Sequence, residues 1–277
     1  MNMTGFKQAC LSLALIGAGS LAWSQAQACT VAAWTGTNTT ASTADVGGTA
    51  QSIRRYYGLC GLNAASSGKV VGENSPNNET TYRVRFYFYP ALTAGQAKIF
   101  SATTGDNGTG TEVIGLTYDS SGQVGVLANG SQVGTLSGLT PNRWYAIELT
   151  YLGGTSIAAS LRGNQTFTAS TTITTNVPNS GIGSHTLGFI SGTGASGTFQ
   201  FDEFEASRSA TTAIGFLNRG DAVPDGTYDL QDVIAVLREF RLGASGQAQG
   251  NADANEDGTV DLQDVIAVLR RFRNGSF

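Results

Sequence analysis

At 277 residues the chain has room for one large domain or two ordinary ones. Only 13% of its residues are charged while glycine reaches 37, a mixture that suits an all-β extracellular protein and argues against a cytosolic helical one. The net charge of −4 comes with no basic patch, which excludes nucleic acid as a partner, and half of the acidic residues lie between Asp221 and Asp264.

The first residues read as a secretory leader. Lys7 supplies the positive start, Leu11 to Trp23 a short apolar stretch, and Ala26-Gln27-Ala28 a small-residue cleavage site, so residues 1–28 are expected to be removed. The apolar run is too short and too glycine-interrupted to cross a membrane. A bacterial protein that transits the periplasm and is secreted or held at the cell surface, without a transmembrane segment, is expected. Cleavage leaves Cys29 and Cys60, which should pair in an oxidising compartment. On the chain-entropy model that closure stabilises the fold by roughly 3–4 kcal/mol. The rival reading makes Cys29 the acylated first residue of a lipoprotein, but Ala26 stands where such signals usually carry leucine.

Residues 29 to 72 are Gly/Thr/Ser-rich and give no clear pattern. From Thr81 to Tyr89 the chain alternates: Tyr82, Val84, Phe86 and Phe88 share one face, Arg83, Arg85, Tyr87 and Tyr89 the other. Pro90 is expected to end this strand. Strands follow over Lys98 to Ala102, Glu112 to Tyr118, Gln123 to Ala128 and Ser131 to Leu136, the last two joined by Asn129-Gly130, a pair suited to a two-residue hairpin. Trp144 to Tyr151 and Ser156 to Leu161 form the next hairpin, and Gln165 to Ala169, His185 to Ile190 and Gly197 to Ala206 complete the series. Short strands with turn residues between them predict a β-sandwich over residues 29–208. Around Trp144-Tyr-Ala-Ile-Glu-Leu149 and Phe199-Gln-Phe-Asp-Glu-Phe204 the order of strands resembles the laminin-G-like, concanavalin-like jelly roll. That resemblance implies glycan or protein binding, and in some members glycoside hydrolysis.

Residues 209–213 read as a polar linker. Beyond them Asp229-Leu-Gln-Asp-Val-Ile-Ala-Val-Leu-Arg238 recurs unchanged as Asp261 to Arg270. Leu230, Val233, Ile234 and Leu237, with Leu262, Val265, Ile266 and Leu269, mark one apolar face on each of two short helices. Packing these faces together, with Phe240 and Phe272 closing the core, is the expected arrangement. Ahead of each helix, oxygen-bearing residues fall at the spacing with which a loop wraps a hard cation. Asp253, Asn255, Asp257, Asp261 and Asp264 occupy positions 1, 3, 5, 9 and 12, with Gly258 at 6 for the sharp turn and Thr259 at 7 offering its carbonyl. The first copy keeps Asp221, Asp225, Thr227, Asp229 and Asp232 but has Val223 at position 3, so weaker binding is expected there. Two calcium ions are therefore expected, and calcium removal should unfold the tail by leaving its carboxylates to repel one another.

With Asp rather than Glu at position 12, no helix before either loop and a near-exact duplication, residues 214–277 resemble a type I dockerin. The resemblance implies that Leu230, Gln231, Arg238, Leu262, Gln263 and Arg270 meet a cohesin-like or other extracellular protein, although Leu-Gln stands where small hydroxyl residues are usual.

Catalysis has little support in the pattern. His185 reads as a sheet residue, and no serine or cysteine has a nucleophile's setting. Alternation places Glu203 and Glu205 on one face about 6–7 Å apart, within reach of paired-acid glycoside chemistry, but the E-x-D-x-x-E arrangement of the jelly-roll hydrolases is absent. Tyr87, Tyr89, Trp144 and Tyr145 are candidates for stacking on sugars. The resulting expectation is a secreted, non-catalytic binding protein with a calcium-dependent dockerin-like attachment module, engaged with polysaccharide or an extracellular assembly. Its alternatives are a glycoside hydrolase of polysaccharide catabolism and a calcium-stiffened structural surface protein.

Overall fold

The computed structural model describes residues 29–163, 167–208, 212–275 and 277. The expected leader, residues 1–28, lies outside the described residues. Eleven strands and two helices follow in order: β1 Val46–Gly47, β2 Gly61–Ala64, β3 Lys69–Glu73, β4 Thr81–Thr103, β5 Glu112–Asp119, β6 Gln123–Ala128, β7 Ser131–Ser137, β8 Tyr145–Leu152, β9 Ser156–Gly163, β10 Phe167–Ile173, β11 Ser184–Ser207, α1 Leu230–Leu242 and α2 Leu262–Asn274.

Strands β4 and β11 run the length of the domain and belong to both layers. The first half of β4 pairs with β8, which continues to β9 and β10, and the end of β11 adds β2 on the other side. The second half of β4 pairs with β5, which continues to β6 and β7, and the start of β11 adds β3. The result is a mostly β, two-layer sandwich folded from one bent sheet. At the bend, register shifts fall between Leu187 and Ser191 and again between Thr193 and Ser196. Backbones meet closely there: a Cβ on Gly95, itself at φ +73, would stand 2.3 Å from the carbonyl of Gly194.

Pro90 does not end its strand. Its Cα pairs with Phe199 inside β4, at a point where β8 has already left and β5 has not yet joined, so its missing N–H interrupts no second ladder. The hairpin at Asn129-Gly130 forms as expected, with both residues at positive φ. The strand expected from Gln165 is described from Phe167 onward. Val84, Phe86, Phe88, Phe100, Leu116, Ile147, Leu149, Phe199 and Phe201 fill the space between the layers. Cys29 and Cys60 are joined as expected, Cα to Cα 5.7 Å.

The opposite face of β4 is buried as well. Tyr87, Tyr89 and Trp144 pack with Tyr56 under Phe216 and Leu217, so the candidate sugar-stacking aromatics, Tyr145 included, are interior. The chain after β11 crosses this face: Leu217 N donates to Tyr87 Oη (2.7 Å), and Ile214 N and Gly215 N donate to the Glu148 carboxylate.

The two helices are found where the repeats place them, but rotated from the expected packing. Val233, Val236, Val265 and Val268 form the small core with Ala222, Ala248, Ala252 and Ala254. Leu230, Ile234, Leu237, Phe240, Leu262, Leu269 and Phe272 face outward. The carboxylates decide this. Asp232 and Asp264 must point into their loops, where each accepts the N–H of its own helix cap, and Glu239 must reach Arg55, so the leucine stripe is turned away. Leu237→Ser is accordingly expected to change stability by no more than about 0.5 kcal/mol. Val236→Ala should cost about 1–2 kcal/mol in urea unfolding; equal costs would restore the leucine-faced core.

Candidate active site

A cleft of about 360 Å³ opens beside β3 and the end of β11 and is lined by Trp34, Leu62, Glu73, Asp202, Glu203 and Phe204. Its acidic residues come from a broken strand. The ladder between β11 and β4 slips between Asp202 and Glu205, and Glu203 sits at φ +51. A non-glycine residue in that region is strained, and such strain gathers at sites where a side chain must be re-aimed. Alternation therefore does not hold here, contrary to expectation. Glu203 lines the cleft, while Glu205 is 58% exposed and bonds Arg85 at 3.0 Å. Arg85 also stands 4.0 Å from Glu203, so the two glutamates share a guanidinium without sharing the cleft.

The three cleft carboxyls differ in environment. Glu73 accepts from Thr35 Oγ1 (2.5 Å), Thr35 N (3.2 Å) and Ser75 N (2.8 Å). Partial burial works against its charge, but these donors outweigh it and hold its pKa below the ordinary value. Burial raises Glu203, and the charge of Glu205 adds to this against the opposing Arg85. Asp202 is pushed up to about 7 by burial, reinforced by Glu203. Its oxygens are occupied, accepting from Tyr56 N (2.6 Å), Tyr57 N (3.0 Å) and Glu203 N (2.8 Å), so it shapes the loop and the bulge. Trp34 and Phe204, 5.1 Å apart, form an aromatic wall at this cleft. Neither was visible as a site from the pattern, because Trp34 lies in the stretch without periodicity and Phe204 belongs to the bulge.

His185 lies in strand β11, a sheet residue as expected, and is buried. It stacks on Phe204 (4.6 Å), meets Tyr82 Oη through Nδ1 (2.8 Å), and its pKa falls to about 4 because burial disfavours the cation. A larger groove of about 570 Å³ runs between the sandwich and the helical unit, but its arginines are engaged, Arg55 with Glu239 and Arg54 with the carbonyl of Gly258.

The two acidic loops have parallel hydrogen bonds. In the second, Asp253 accepts from Asp257 N (3.0 Å) and Gly258 N (2.7 Å), Asp257 from Thr259 N and Oγ1, and Asp264 from Asn255 N (3.0 Å) and Asp261 N (2.9 Å). In the first, Asp221 accepts from Asp225 N and Gly226 N, Asp225 from Thr227, and Asp232 from Val223 N and Asp229 N. Asp229 and Asp261 cap their helices. As folded, the carboxylates bind backbone N–H groups, and among the described residues no three acidic, histidine or cysteine side chains converge as a metal-binding group. The donor chemistry nevertheless fits a hard cation. Asp253 and Asp264 are buried acids; burial and then neighbouring carboxylates raise Asp253 well above its ordinary value and Asp264 to about 6. Such a pair is costly without a counter-charge, and a carboxylate that accepts two hydrogen bonds has lone pairs to spare. Leu230, Gln231, Arg238, Leu262, Gln263 and Arg270 are all exposed on the helices.

No family model matches the chain, and no curated protein matches it. Solved structures similar to it include a family 7 alginate lyase, A1-II', with substrate (14% identity, 55% of this chain and 79% of that one, TM-score 0.39). They also include a Trypanosoma rangeli sialidase with 2,3-difluorosialic acid (14%, 56% and 26%, TM-score 0.40) and the binding domain of botulinum neurotoxin serotype D (11%, 55% and 40%, TM-score 0.41). The expectation of a non-catalytic binding protein is corrected here. Three of the similar structures are of one enzyme, the family 7 alginate lyase A1-II', and likeness at this level shows the fold alone.

Proposed function

We propose that the chain is a secreted glycoside hydrolase that cleaves O-glycosyl bonds in a polysaccharide, with Glu203 and Glu73 as its reacting pair. One observation carries the reading: two carboxyls line one aromatic-walled cleft, and their surroundings drive their proton affinities apart. Glu203, raised, holds the proton that the leaving glycosidic oxygen requires. Glu73, lowered, stays charged and either attacks the anomeric carbon or activates water, according to its spacing from Glu203. Trp34 offers a face for a sugar ring.

The test is release of reducing ends from a panel of polysaccharides. Glu203→Gln and Glu73→Gln should each lower turnover by about 10²–10⁴, with circular dichroism showing both variants folded. No turnover on any polymer, or full turnover in Glu203→Gln, would overturn the assignment.

Calcium belongs to the same reading. Asp253, Asn255, Asp257, Thr259, Asp261 and Asp264 would hold one ion, and Asp221, Asp225, Thr227, Asp229 and Asp232 a second, more weakly because Val223 offers no side-chain oxygen. The metal would neutralise the buried acids and stiffen the loops. The dockerin-like and laminin-G-like resemblances are supported by the repeat and by the sandwich, respectively. The six exposed helix residues are the surface that a cohesin-like or other extracellular protein would meet. The Cys29–Cys60 bridge supports an extracellular setting, and among the described residues no helix is long and apolar enough to cross a membrane.

A further inference from the structure

The two acidic loops are near copies in sequence, and their environments diverge at positions 4 to 6. Positions 1 and 2 are buried in both loops, but Pro224, Asp225 and Gly226 at positions 4 to 6 of the first are exposed, whereas Glu256 of the second is buried and Asp257 and Gly258 are half-buried. The glycines at position 6 show the contrast directly. Gly226 and Gly258 have nearly the same backbone, φ +81 and +85, yet a Cβ on Gly226 would meet nothing within 4 Å while one on Gly258 would stand 2.3 Å from the ring of Tyr89. The sandwich grips the second loop from several sides. Tyr56 Oη donates to Glu256 Oε1 (2.8 Å), Trp144 N to Glu256 O (3.0 Å), Arg54 Nη1 to Gly258 O (2.7 Å) and Tyr89 Oη to Asp257 O (3.4 Å). Arg54 also lies over the Tyr89 ring, and Arg219 stands 3.9 Å from Glu256. Glu256, at position 4, takes φ +61, a backbone that Pro224 at the same place in the first loop cannot adopt.

We infer that the second loop is a calcium site shared between the two parts of the protein: Tyr56, Arg54 and Trp144 of the sandwich preorganise it, so that filling this site and seating the helical unit on the sandwich are one coupled event. Among the described residues the first loop is hydrogen-bonded to this assembly only through Asn251 N to Asp221 O and Gly250 N to Ala222 O (both 2.9 Å), so its filling is coupled to the sandwich far more weakly. This coupling rests on the proposed binding of calcium by the two loops. Because coupling between two equilibria is reciprocal, calcium at the second loop must raise the resistance of the sandwich to unfolding, and loosening the sandwich contacts must weaken that calcium.

The experiment uses the full chain, titrated with calcium by calorimetry and melted with and without calcium while near-ultraviolet circular dichroism follows the buried aromatic residues of the sandwich. Tyr56→Phe with Arg54→Gln removes two donors to the loop and keeps the side-chain bulk. The wild type is expected to bind two ions, and the double variant to hold one of them about tenfold more weakly and the other within twofold, with the calcium-induced rise in sandwich melting mostly lost. Matching far-ultraviolet spectra without calcium establish that the variant is folded. Two unchanged affinities, or two that fall together, overturn the coupling and leave calcium binding standing. No calcium binding by the wild type overturns both.

Discussion

Arg55→Ala is expected to destabilise the protein by about 3–5 kcal/mol, the range for a buried ion pair that loses one partner. Arg55 Nη2 lies 2.5 Å from Glu239 Oε2, and both side chains are at least 95% buried. Glu239 also accepts the N–H of Ala248 (2.9 Å), and Arg55 Nη1 donates to Gly250 O (3.4 Å). Removing the guanidinium leaves a carboxylate in the seam with the Ala248 N–H and a long contact from the Thr49 hydroxyl (3.5 Å) as its donors. In a domain of this size the melting temperature should fall by roughly 10 °C. Arg55→Met combined with Glu239→Gln should recover most of the loss, since it removes both charges and keeps an acceptor for Ala248. Thermal unfolding of the two variants decides the matter. A change below about 1 kcal/mol in Arg55→Ala would mean that the helical unit is tethered to the sandwich and not seated on it.

Asp202→Asn should change how stability depends on pH. The Asp202 pKa is about 7 in the folded protein and 3.8 as a free carboxyl, so the folded state binds its proton more tightly. The stability this contributes is complete below pH 3.8 and is lost as the pH rises through 7, about 4 kcal/mol over the window at 1.36 kcal/mol per unit. His185 has the opposite sign. Its pKa falls from 6.5 to about 4, so its contribution is present above pH 6.5 and is lost as the pH falls towards 4. In the wild type the two therefore largely offset each other. The amide in the variant does not titrate, so the Asp202 loss is absent from it: stability of the variant relative to wild type should rise by about 3 kcal/mol between pH 4 and 7. Urea midpoints at a series of pH values measure the difference, in which other groups cancel. Parallel profiles would show that Asp202 is an ordinary charged carboxylate held by the three N–H groups it accepts.

Both variants act close to the seam between the sandwich and the helical unit, and both reach the cleft. Tyr56 and Tyr57, whose N–H groups Asp202 accepts, adjoin Arg54 and Arg55, which hold the helical unit. Glu203 follows Asp202 directly. The candidate reacting acid and the acidic loop at Asp253 are thus joined through one short segment, residues 54–57.

Local patterns in the chain determined much of this protein. Alternation in Tyr82 to Phe88 marked a strand with a core face, Asn129-Gly130 marked its hairpin, and the two mature cysteines found each other. The duplicated Asp-Leu-Gln-Asp repeat placed two capped helices, since a side chain two or three residues from a helix start needs only local geometry to cap it. Three things were decided only by the tertiary structure. The helices turned their leucines outward because distant groups, the loop interior and Arg55, claimed Asp232, Asp264 and Glu239. Two loops of nearly equal sequence became unequal because Tyr89 and Tyr56 meet only one of them. The cleft arose where a bulge broke the alternation at Glu203 and brought it beside Glu73 and Trp34, residues well over a hundred positions earlier in the chain. Periodicity reports which face of an element is apolar; which neighbour that face meets is set by contacts between segments far apart in sequence, and these leave no local trace.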